Sequence, residues 1–195
     1  MSLRPALKTR RAAAPRVALR LSLWLALLLG LAEPASAQGV YASPAQFLTQ
    51  TFGSRKPQAQ SLWLTDARQR QAEQILTHPL GMLRVRYWRL GSTTAWILDE
   101  IGKTEPITIG VVIRDSAIAQ IQVLAFRESR GDEIRHGFFT RQFIGAGLRA
   151  DADELDRTID GITGATLSVR AIRRVARLAL YFHTLAAGDA TSIDP

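Results

Sequence analysis

PITIGVVI (106–113), RDS (114–116) and AIAQIQVLAF (117–126) form the stretch that decides the fold. Two apolar runs rich in β-branched residues flank a short polar turn at Arg114-Asp115-Ser116, the pattern of an antiparallel β-hairpin. Upstream, LRVRYW (83–88) alternates apolar and basic residues, as a half-buried strand does. Gly91-Ser92 then turns the chain into a further strand, Thr93 to Leu98. Four consecutive strands without an intervening helix point to an α+β fold, an antiparallel sheet packed against helices, rather than to βαβ units.

Helices are expected on both sides of this block. Ser43-Pro44-Ala45-Gln46 reads as a capping box with proline in the first turn, opening a helix through about Phe52 that Gly53 to Pro57 breaks. A second helix is expected from Thr65 to Leu76, stopping before His78-Pro79. The last and longest spans Thr166 to Ala186. Its apolar residues cover more than half of the circumference, and Arg170, Arg173, Arg174 and Arg177 gather in the remaining arc. That stripe reads as a solvated face, with a docking surface for a redox partner as the alternative.

Composition limits the function classes. The 195 residues carry 25 Lys and Arg against 17 Asp and Glu, a net charge of +8, and no cysteine. Disulfides, thiolate-held iron–sulfur clusters, CxxCH haem attachment and cysteine nucleophiles are therefore excluded. Six of the basic residues precede the apolar run Leu21 to Ala32, which Ala35-Ser36-Ala37 follows. This is the layout of a secretory signal peptide over residues 1–37, and its apolar core is too short to span a bilayer. Without that segment, 19 basic residues face 16 acidic ones and the net charge falls to +3. The compositional case for a nucleic-acid partner falls with it.

Several motifs fail on inspection. Gly145-Ala146-Gly147-Leu148-Arg149-Ala150 matches G-x-G-x-x-A, but no strand, helix and downstream acid surround it as a dinucleotide site requires. Asp151, Asp153 and Asp156 lack the glycine and the final glutamate of a calcium loop. His78, His136 and His183 are isolated and read as surface or packing residues. No G-x-S-x-G elbow supplies a hydrolytic serine.

DGITGATLS (160–168) remains, at the entry to the last helix. Gly164 and Ala165 let backbone approach a ligand, and Thr163, Thr166 and Ser168 bring hydroxyls. The free amides and dipole of a helix N-terminus favour an anion there. On physics alone, a helix capped by Thr163 explains the same residues without any ligand.

The run Asp160-Gly161-Ile162-Thr163-Gly164-Ala165-Thr166, with Leu167 and Ser168 after it, resembles the flavinylation motif of the FMN-binding domain family. That family includes the C subunit of sodium-translocating NADH:quinone reductase and the G subunit of Rnf complexes. The resemblance implies FMN joined through its phosphate to Thr166, with Ser168 as the rival acceptor. It also implies a Mg²⁺-dependent flavin transferase that takes FAD and releases AMP. Glu128-Ser129 resembles the start of a loop that relatives place beside the flavin. Gln142-Phe143-Ile144-Gly145 resembles the stretch after it, with Phe139 and Phe143 as ring covers or as core.

The expected organisation is a signal peptide (1–37), a helical and strand region of unassigned role (38–92), an FMN-binding domain (93–187) and a tail (188–195). The expected function is that of an exported, periplasmic or membrane-associated flavoprotein. It would carry electrons between a membrane-side donor and an extracytoplasmic acceptor. Arg130, Arg135 and Arg141 are the candidates for balancing the charge of the cofactor. A reductase acting on a small substrate and a flavin-free scaffold domain are the rivals.

Overall fold

The computed structural model describes residues 39–149 and 154–191. The expected signal segment, Asp151 and Asp153 lie outside these residues. In chain order the elements are β1 (Gly39–Val40), α1 (Pro44–Phe52), β2 (Gln58–Trp63), α2 (Asp66–Leu76), β3 (Arg84–Leu90), β4 (Thr93–Ile101), β5 (Pro106–Arg114) and β6 (Ala117–Phe126). Short helical turns follow between Asp132 and Phe143, including α3 (Gly137–Thr140), and then the long α4 (Thr166–Thr191). The six strands form one antiparallel sheet in the order β1-β6-β5-β4-β3-β2.

The deciding hairpin is tighter than its sequence implies. Arg114 pairs with Ala117, so only Asp115 and Ser116 form the turn, both at positive φ (51° and 62°). That is the two-residue geometry whose twist suits antiparallel strands, reached here without glycine. Ser43 and Gln46 form the reciprocal capping box of α1, and Thr65 caps α2.

Each sheet face has its own apolar layer. Trp96, Leu98, Ile109, Val111 and Ile121 point toward α4 and meet Ile172, Val175, Ala179 and Phe182. On the opposite face, Phe47 and Phe52 of α1 cover Ala95, Val112 and Leu124. Gly110 lets the Phe47 ring settle on β5, because a Cβ there would lie 2.7 Å from the ring.

Three expectations change. Residues 38–92, left without a role, supply β1 and the two strands β2 and β3 that widen the sheet. The last helix continues past Ala186 to Thr191, into the expected tail, and Arg68 of α2 holds Asp189 there by a two-pronged salt bridge. The arginine stripe is only partly a solvated face. Arg174 reaches the buried Glu100 at 3.1 Å, and Arg177 donates to the Ile75 carbonyl and to Glu154, each at 3.0 Å.

Candidate functional site

The antiparallel order brings the end of β4, the start of β5 and the end of β6 to one end of the sheet. The turn from Gly102 to Glu105 closes on a bond from the Gly102 amide to the Glu105 carbonyl. Glu128, two residues beyond β6, inserts its carboxylate into that turn. Its Oε1 accepts the backbone amides of Lys103, Thr104 (2.6 Å) and Glu105 (2.9 Å), and its Oε2 accepts the Thr104 hydroxyl. Three successive amides around one oxygen form an anion nest. Burial acts to raise the pKa of Glu128, but the three amides and the hydroxyl outweigh it and hold the carboxyl below the usual range. Glu128 thus stays ionised, and its charge is consumed within the protein.

The start of α4 faces this turn. Ala165 donates to the Ile162 carbonyl and accepts the first helical bond, from Val169, at 2.9 Å. Ala165 therefore holds the N-cap position, not Thr163. Gly164 sits at φ 85°, a left-handed turn that keeps the helix from starting earlier. An alanine offers no side-chain oxygen, and among the described residues no acceptor meets the amides of Thr166, Leu167 and Ser168. This helix end is one that a ligand can cap.

Between the two elements lies a cleft of about 350 Å³ lined by Lys103, Glu128, Ser129, Arg130 and residues Gly164 to Ser168. Thr166 is exposed in it, whereas Ser168 is only 5% exposed. Gly131, at φ 93°, makes room for Ser168, since a Cβ there would stand 2.6 Å from the Ser168 Oγ. With Glu128 satisfied by its nest, Lys103, Arg130 and the helix dipole leave the cleft positive. Its polar, cationic walls suit a phosphate group.

The structure gathers seven of the ten residues singled out for a cofactor: Glu128, Ser129, Gly164, Ala165, Thr166, Leu167 and Ser168. Thr163 and Asp160 are exposed outside this lining, and the Asp160 amide donates to the Gln142 side chain at 2.7 Å. Phe143 is fully buried and meets Phe139 edge-on at 5.5 Å, so both rings belong to the core. Of the three arginines considered, Arg130 lines the cleft, while Arg135 pairs with Asp132 and lies over the Tyr41 ring. Lys103 and Gly131 belong to the site without a motif that marks them in the sequence. The antiparallel hairpins are the available signal for Lys103, because the β4–β5 turn must lie at the same end of the sheet as the end of β6.

Residues 102–181 match the family model of the FMN-binding domain. No curated protein and no solved structure matches the chain. The matched segment contains every residue that lines the cleft. The chain carries a domain of the FMN-binding domain family and is a flavin-binding protein.

Proposed function

We propose that the protein is an exported electron carrier with FMN bound covalently, through a phosphodiester, to Thr166. The observation that carries this reading is the exposed Thr166 hydroxyl on an uncapped helix end, facing Lys103 and Arg130 across the cleft. Ser168 has the same chemistry but is buried under Gly131, which disfavours it as acceptor. Attachment would need the FAD-dependent, Mg²⁺-dependent transferase. The Thr166 oxygen would bond to the phosphorus of the FMN half, the P–O bond to AMP would break, and the hydroxyl proton would leave with AMP or solvent.

FMN, when bound, supplies one- and two-electron redox chemistry through its ring. The chain's residues orient it and balance its charge. The amides of Thr166 to Ser168, Lys103 and Arg130 would meet the phosphodiester, and Leu167, 42% exposed, offers an apolar surface to the ring. Glu128, the acid at the cleft, is held ionised in its nest and cannot give up a proton near neutral pH. That favours a carrier over a self-sufficient reductase. Export rests on residues 1–37, and a membrane-side redox partner is the expected electron donor.

The test is intact mass with in-gel flavin fluorescence on denatured protein made with the transferase. The proposal expects an adduct of one FMN less one water, retained in Ser168→Ala and lost in Thr166→Ala. An unmodified wild type despite active transferase would overturn it.

A further inference from the structure

The sheet is split along part of its width. The ladder between β3 and β4 runs from Leu90–Thr93 to Tyr87–Trp96 and stops there. β3 continues to Arg84 paired only with β2, and β4 continues to Ile101 paired only with β5. The two strands diverge, and a slit of about 350 Å³ passes between them. Its walls are mainly apolar, from Met82, Val85, Trp88, Ile97, Leu98 and Phe182. At its inner end the Glu100 carboxylate, 1% exposed, meets His78 Nε2 at 3.0 Å and Arg174 at 3.1 Å. Those charges are mutually satisfied.

The outer mouth is charged differently. Strand alternation places Arg84 and Arg86 on one face of β3, beside Trp88. Both arginines line the slit, and among the described residues neither has an ion pair; Arg84 lies 5.8 Å over the Trp63 ring. Asp99 at the same mouth accepts the Thr108 hydroxyl. An apolar channel with a cationic mouth, whose one buried carboxylate is already paired, matches an amphiphile with an anionic head. We infer that the slit between β3 and β4 is a second ligand site, for a single-chain carboxylate. The head pairs with Arg86 and Arg84, and the tail lies between Trp88, Ile97 and Leu98. The site is independent of the flavin cleft, with which it shares no lining residue.

The test titrates the purified protein with decanoate below its micellar concentration, read by calorimetry and by intrinsic tryptophan fluorescence. Decanol and decyltrimethylammonium are the matched neutral and cationic controls. The inference expects saturable one-to-one binding of decanoate and at least about tenfold weaker binding of both controls. It also expects about tenfold weaker binding by Arg86→Gln, from the loss of a charge-assisted hydrogen bond. Met82→Trp fills the slit from a position already 42% exposed, so it should block binding without unfolding the protein. Non-saturable uptake, equal binding of all three amphiphiles, or unchanged binding by both variants would overturn the inference. Thr166→Ala protein should bind decanoate as wild type does, which separates failure here from failure of the flavin assignment.

Discussion

The cleft at the start of α4 and the slit between β3 and β4 enclose similar space, about 350 Å³ each, from opposite materials. The cleft is built of backbone: a nest of amides, an uncapped helix end and two left-handed glycines, with few side chains reaching in. The slit is built of side chains, and it exists because two strands part company. The first kind of site depends on φ angles and hydrogen bonds, so small changes in backbone freedom should damage it. The second depends on volume and on charge at the rim, and should tolerate backbone-neutral substitutions until the space is filled.

The sharpest way to break this contrast is Thr166→Ala, which should abolish covalent FMN entirely. Apo-protein stability should change little, because Thr166 is exposed and Ala165, not Thr166, holds the cap position. Denaturant melts beside the mass measurement check both halves. Gly131→Ala should follow. It forces an alanine to φ 93° and drives a Cβ to 2.6 Å from Ser168 Oγ, with an expected cost of about 2 kcal/mol or more and poor FMN loading.

Glu128→Gln should cost about 2 kcal/mol, since a neutral amide oxygen can accept the same three backbone amides only without the charge assistance of a carboxylate, and its NH2 group would face the Thr104 hydroxyl. Because the folded pKa of Glu128 is depressed, its contribution is present above the unfolded value of about 4.3 and is lost as the pH falls through the folded one. Acid melts of wild type should therefore lose stability that Glu128→Gln lacks at every pH. Decanoate binding should survive in this variant wherever it remains folded.

The smallest effect is expected at the slit. The Pro79 carbonyl and then, against the cost of burial, Glu100 hold the pKa of His78 above its ordinary value. Its stabilisation is complete below about pH 6.5 and is lost as the pH rises through the raised value. Tm measured across that window should fall in wild type and stay flatter in His78→Gln.

Much of this architecture was readable in the chain. The Ser43–Gln46 box, the Thr65 cap, four of the six strands and the start of α4 depend on contacts within a few residues. DGITGATLS announced an anion-friendly helix end for the same reason. Strand β2, with its polar QAQSLW, escaped notice because one face is solvent-exposed and its partner lies some twenty residues away. The Phe143 ring could equally have served core or cofactor by sequence, and packing against Phe139 made it core.

The sequence by itself determined the α+β class, the β5–β6 hairpin and the motif at the start of the last helix, since periodicity, turn chemistry and capping are local properties. Only the tertiary structure decided that Ala165 and not Thr163 holds the N-cap position of α4 and leaves it uncapped, that Glu128 spends its charge on the Gly102–Glu105 turn, and that Lys103 and Arg130 line one cleft with Thr166. It alone parted β3 from β4. These outcomes depend on which distant backbones meet at one end of the sheet and how far two strands stay in register, and such long-range geometry leaves no periodic trace in the chain.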